Sequence, residues 1–245
     1  MGKGVVVITQ ELIKILANKY QTTELNCRRE YFQHLFLSYF YQQPQADVIY
    51  FKGGTALRVI YQSPRFSEDL DFSTTLRIAN PIEQVILQTL EAIEKEGIRA
   101  DLQEAKKTSG GYLANITFQA FGQTAAILLQ FSLREGNKKG EVITISNDFI
   151  PPYIVISLLK EQLIDEKIQA LLTRKKPRDF YDLYFILRSN LLPIQKKKML
   201  PQILNIFRQT DINFETELKQ FLPKSHWVVI KNFKQSLTQE IERFV

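Results

Sequence analysis

A glycine pair set between an extended run and a helical one is the feature that most restricts how this chain folds. Val48-Ile49-Tyr50-Phe51 reads as a short strand, Lys52-Gly53-Gly54-Thr55 as a turn, and Ala56-Leu57-Arg58-Val59-Ile60-Tyr61 as a helix. After a polar loop, Asp69-Leu70-Asp71-Phe72-Ser73 alternates polar and apolar residues with the period of two expected of a strand with one buried face. A strand, glycine turn, helix and second strand therefore follow one another, which calls for a fold that combines sheet and helix.

On such a strand the carboxylates of Asp69 and Asp71 leave the same face, while Leu70 and Phe72 turn into the core. The pair offers two hard oxygen ligands side by side. Mg²⁺ takes such ligands and is commonly held by one or two carboxylates plus substrate phosphates, with Mn²⁺ as the alternative ion. Alternating acids also occur on ordinary half-exposed strands. The glycines have two readings as well. Without side chains, Gly53 and Gly54 let backbone N–H groups approach phosphate oxygens at a helix start, and a tight turn requiring positive φ uses the same residues. Thr55 is placed to donate its hydroxyl or to cap the helix.

Residues 9–42 carry apolar positions at helical spacing, with Leu12, Ile15 and Leu16 followed by Phe32, Leu35, Phe36, Tyr39 and Phe40, and are expected to form two helices beside the sheet. A helix is expected over 81–96, and strands over 111–121 and 124–134 on either side of Gly122-Gln123. Beyond Pro151-Pro152, the runs Ile156 to Leu172, Phe180 to Arg188 and most of 195–245 look helical. The expected organisation is a mixed α and β core over 1–150 and a helical lobe over 151–245.

With 44% apolar and 24% charged residues, the 245-residue chain has material for a substantial core. No apolar run reaches the roughly 18 residues of a membrane span, and the start lacks the long apolar core of a secretory signal, so a soluble cytoplasmic protein without a membrane partner is expected. The single cysteine, Cys27, and two distant histidines, His34 and His226, exclude an internal disulfide and a soft-metal cluster. A net charge of +6 suits polyanions such as nucleotides or RNA. Its densest runs, Arg174 to Arg178 and Lys196 to Lys198, are also what solvated helix ends look like.

Lys52-Gly53-Gly54-Thr55-Ala56-Leu57 followed by Arg65-Phe66-Ser67-Glu68-Asp69-Leu70-Asp71-Phe72 resembles the signature of AbiEii/AbiGii-type nucleotidyltransferase toxins, members of the DNA polymerase β-like superfamily. Glu166 to Arg174 and Pro177-Arg178-Asp179-Phe180-Tyr181-Asp182-Leu183 resemble that family's second conserved region, so the likeness spans roughly residues 48–190. It implies an α+β fold with a nucleotidyltransferase-type mixed sheet flanked by helices. It further implies that Asp69 and Asp71 bind the metal, and that Lys52, Gly53, Gly54, Thr55, Arg65 and Ser67 line the nucleotide. Lys167 matches the conserved lysine near the phosphates, and Asp179 or Asp182 the second acidic position, Asp182 being the candidate base.

Spacing adds to this grouping, because an unbroken helix would align Lys167, Arg174 and Arg178 along one side as a stripe suited to the nucleotide's phosphates, unless Pro177 interrupts it. Asp179 is equally explained as a helix cap. Many superfamily members carry a third metal-binding carboxylate on a later strand, where Ile127 to Leu133 offers Gln130. The resemblance implies transfer of a nucleoside monophosphate from a nucleoside triphosphate to a hydroxyl of RNA, including tRNA, or of protein. It also implies the toxin role of a toxin–antitoxin or phage-defence system with a cognate antitoxin. A nucleotide- or RNA-binding module of the same fold without turnover is the alternative.

Overall fold

The structure, a computed structural model, describes residues 8–120, 122–133 and 136–244. The expected strand ends at 121 and 134 lie outside the described residues. In chain order the principal elements are α1 (Gln10–Lys19), α2 (Glu24–Phe40), β1 (Ile49–Lys52), α3 (Gly53–Tyr61), β2 (Asp69–Thr74) and α4 (Asn80–Glu94). Then come β3 (Arg99–Thr108), β4 (Gly111–Ala120), β5 (Gln123–Ser132), β6 (Gly140–Ile145) and β7 (Tyr153–Leu158). The rest is helical: α5 (Lys160–Arg174), α6 (Pro177–Arg188), α7 (Leu200–Gln209), α8 (Phe214–Leu218), α9 (Trp227–Lys231) and α10 (Phe233–Glu242). The chain is thus α+β, and it divides into two compact units, Met1–Gln62 with Phe66–Leu159 and Ser63–Arg65 with Lys160–Val245.

In the first unit the seven strands form one sheet in the order β3-β4-β5-β2-β1-β7-β6. β2 pairs parallel with β5 and antiparallel with β1, so the sheet is mixed and β2 lies in its middle. Leu70 and Phe72 are fully buried. Phe72 stacks on Phe131 of β5 at 4.7 Å between ring centroids and 10° between planes, and Phe40 of α2 reaches it at 5.2 Å. Phe32 of α2 stacks in the same way on Phe118 of β4 at 4.9 Å. Helix α2 is buried almost all round because α1, α4 and the sheet all pack on it. It starts at Thr23, whose hydroxyl accepts from the Asn26 backbone N–H at 3.2 Å.

Two expectations need correction. Ile156 to Leu172 is not one helix. The run Tyr153-Ile154-Val155-Ile156 alternates buried and less buried positions as β7 pairs with β6, and α5 begins only at Lys160. The first unit accordingly continues past Pro151-Pro152 to Leu159. Nor do Lys167, Arg174 and Arg178 share a helix, because Lys175 adopts a left-handed φ of 53° and Pro177 starts α6. In the second unit, Phe180, Phe207, Phe214 and Phe233 cluster at 4.9–6.2 Å and join α6, α7, α8 and α10. Among the described residues, no helix is long and apolar enough to cross a membrane.

Truncating the ring at the centre of the sheet removes buried area and leaves a void. Phe72→Ala should therefore cost about 3–5 kcal/mol. A lowered urea midpoint checks this, and a cost under about 1 kcal/mol would contradict the packing described.

Candidate active site

The dyad is built by the register of three central strands. Asp71 stands opposite Lys52 on β1 and opposite Gln130 on β5. Directly opposed residues project to the same side of a sheet, so Lys52, Asp71 and Gln130 form a row across the face that turns away from Phe72. Asp69 lies one step along β2 on that same face, and both aspartates keep partial access to solvent.

Gly53, with φ +86°, sits against this row. A Cβ at that position would lie 2.0 Å from Oδ2 of Asp71, closer than any side chain tolerates. Two requirements, left-handed backbone and close approach, therefore coincide at one residue. The turn delivers the start of α3 to the dyad, where the positive end of the helix dipole favours anions. Thr55 is buried, and its hydroxyl donates to the Asp69 carbonyl at 2.5 Å. Its donor is thereby used to tie α3 to β2, so neither expected use, phosphate donor or helix cap, describes it.

Among the described residues no group of three His, Cys, Asp or Glu side chains gathers at metal-ligand distance. At the third position Gln130 instead turns its amide Nε2 toward Oδ2 of Asp69, at 3.4 Å. The side chain acts there as a donor to the Asp69 carboxylate and contributes no anionic oxygen. What remains is a pair of carboxylates beside a glycine-lined bend, a donor set that fits a hard divalent ion whose other ligands come from a triphosphate and water.

In the second unit, Asp182 on α6 takes Nε and Nη2 of Arg65 at 2.8 and 3.0 Å and Nζ of Lys167 from α5 at 2.7 Å. Burial alone would push its carboxyl up, but the guanidinium and the ammonium more than reverse this and hold it at about 2. Both oxygens of Asp182, the expected base, already accept charged hydrogen bonds, and so acidic a carboxyl takes up a proton poorly near neutrality. Arg65, expected at the nucleotide, is buried with its fork on Asp182. Lys167 keeps its side chain 12% exposed.

Arg174 pairs with Asp179 at 2.7 Å, and Asp179 also accepts from the backbone N–H of Lys176 at 3.2 Å. The capping reading of Asp179 describes what it does. Ser67 precedes β2, and its carbonyl accepts from Nε2 of Gln33 at 2.9 Å. Helix α2 carries no site residue in the sequence reading, since nothing in its spacing shows that Arg29 and Gln33 meet the segment ahead of Asp69 or that Glu30 pairs with Arg58.

A mixed sheet with a paired-aspartate strand beside a glycine turn defines the nucleotidyltransferase fold. Two solved structures from Helicobacter pylori share it: one described as a nucleotidyltransferase (TM-score 0.67, 20% identity, covering 91% of this chain and 95% of that one), the other as JHP933 (TM-score 0.66, 20% identity, 91% and 93%). No curated protein sequence matches the chain. The family model described as nucleotidyl transferase AbiEii toxin, type IV toxin–antitoxin system, matches residues 35–243, and the chain belongs to that family.

The acid limb of stability follows from Asp182. Its folded pKa lies below the ordinary value of 3.8, so its contribution is fully present above about pH 4 and is lost as pH falls toward about 2. Asp182→Asn should cost about 3–5 kcal/mol at pH 7 by leaving Arg65 buried without its anion. It should also flatten the change in unfolding midpoint between pH 4 and 2. An unaltered acid limb in the variant would contradict the assignment.

Proposed function

We propose that the chain transfers a nucleoside monophosphate from a nucleoside triphosphate to a hydroxyl of RNA, with Asp69 and Asp71 holding a divalent ion, Mg²⁺ or Mn²⁺, on the triphosphate. The observation that carries this reading is Gly53 lying against Asp71 with no room for a side chain, since that contact brings two carboxylates to a helix start suited to phosphate. The bound ion would supply neutralisation of the charge that builds on the phosphate oxygens.

The chain's own residues do the positioning. Asp69 and Asp71 would hold the ion that offsets the charge of the triphosphate, Gly53 and Gly54 bring the positive end of α3 to the phosphate oxygens, and Lys52 adds positive charge on the dyad's face. Lys167 is assigned, on the family resemblance, to the outer phosphates, whose negative charge its ammonium would offset. The carboxylates of Asp69 and Asp71 are assigned to receive the proton that the acceptor hydroxyl loses. The acceptor oxygen then bonds to the α-phosphorus as the bond to pyrophosphate breaks.

Charge supports a polyanionic acceptor. Of the 32 basic and 26 acidic residues, seventeen and ten fall in the second unit, a net +7, leaving fifteen and sixteen in the first, a net −1. An excess gathered in one unit gives a phosphate backbone a place to dock that a protein hydroxyl would not require. Gln130 favours one second reading, a binding module without turnover, because it removes the carboxylate that a second ion would use. As the toxin of its family the chain would be restrained by a cognate antitoxin.

Incubation with each α-³²P-labelled triphosphate, total RNA and lysate protein tests donor and acceptor together. Label should appear in RNA, fall by about a hundredfold or more in Asp69→Asn, and fall by about tenfold or more in Lys167→Ala. Nucleotide binding with no labelled acceptor would favour the module, and label in protein would overturn the RNA assignment.

A further inference from the structure

The three residues that lead into the catalytic strand are each held from helix α2, directly or through Arg58. Arg29 places Nη1 2.5 Å from Oε1 of Glu68. Gln33 donates from Nε2 to the carbonyl of Ser67 at 2.9 Å. Glu30 grips the Arg58 guanidinium at 2.7 and 3.0 Å, and that guanidinium lies flat enough on Phe66 to bring its carbon 3.6 Å from the ring centroid. Arg29, Glu30 and Gln33 fall on one side of α2, since residues three and four apart on a helix are neighbours.

Phe66, Ser67 and Glu68 lie between α3 and β2, outside both elements, so no helix or ladder bonds fix them. The residue that follows is Asp69. A segment without such bonds opens easily unless side chains hold it, and a displacement of about 1 Å at a reacting group can cost about a hundredfold in rate. Glu30 and Gln33 are buried, so these contacts are part of the packed interior. The family match begins at residue 35, so all three α2 residues lie ahead of it.

We propose that α2 is a positioning element for the catalytic strand, in which Arg29, Glu30 and Gln33 hold Phe66, Ser67 and Glu68 so that Asp69 starts β2 in one place. This rests on the reading of Asp69 as a metal-binding residue. None of the three is a catalytic residue, because each acts through the segment it holds. The arrangement gives the N-terminal helices a role in the chemistry besides covering the sheet.

The test avoids the buried Glu30–Arg58 pair, because breaking it leaves an unpaired buried charge and destabilises the whole first unit. In the full-length chain, Arg29→Glu with Gln33→Leu removes two of the three holds. Hydrogen exchange of the peptide covering residues 66–72 should quicken about tenfold while that of 123–132 stays unchanged. Label transfer to RNA should lose about tenfold or more in kcat, with KM for the triphosphate moving less than about threefold. With Gln33 intact, Arg29→Glu alone should show part of this loss, and the reversed pair Arg29→Glu with Glu68→Arg should restore it. Unchanged exchange at 66–72, or faster exchange with kcat intact, would overturn the proposal. Should the wild-type chain transfer no label, the functional reading fails by itself and the exchange result alone decides whether α2 holds the segment.

Discussion

The close approach of Gly53 to Asp71 is the constraint around which the first unit is arranged. Only a residue without a side chain can place the bend at the head of α3 against the carboxylate, and only a strand in the middle of a sheet can hold that carboxylate still. Packing on the opposite face does the holding: Leu70 and Phe72 are buried, Phe72 against Phe40 of α2, so the aspartates that alternate with them turn to the other face. The hydroxyl of Thr55 then fastens α3 to the strand through the Asp69 carbonyl. Stability and site geometry are thus two faces of one strand.

The second unit solves a different electrostatic problem. Asp182 and Arg65 are buried deeply enough that either alone would be costly, and together with Lys167 they satisfy one another. Arg65 is four residues ahead of Asp69 in sequence yet counts with this unit, so the segment 65–72 carries a buried ion pair at its start and the paired carboxylates at its end.

How much of this was legible in the sequence depended on whether a residue's role was local. The alternation at 69–73 and the glycine turn were readable because side-chain period and backbone freedom are properties of short segments. Strand β3 was not, since Arg99–Thr108 lies at a sheet edge where most side chains are exposed, which erases the period-two signal. β6, at the other edge, was lost in the same way, and β7 was taken into a helix because a short β-branched run next to an amphipathic helix has no marked border. Arg65, which pairs with Asp182, and Gln33, which donates to Ser67, lie 117 and 34 residues from them, distances over which pattern carries no information. Gln130 was visible as a missing carboxylate, but that it turns a donor toward Asp69 could be learned only from the fold.

For the proposed transfer, the aspartates and the glycine bend must share one metal–nucleotide complex. Electron paramagnetic resonance of Mn²⁺, titrated with and without a non-hydrolysable triphosphate analogue, reads that sharing directly in the wild-type chain and in Gly53→Ala. With two carboxylates and no third, the wild type should bind the ion weakly alone and at least about tenfold more tightly with the analogue. Gly53→Ala, folded but with a methyl group where Asp71 must sit, should lose that enhancement. An enhancement of equal size in the variant would contradict the central claim.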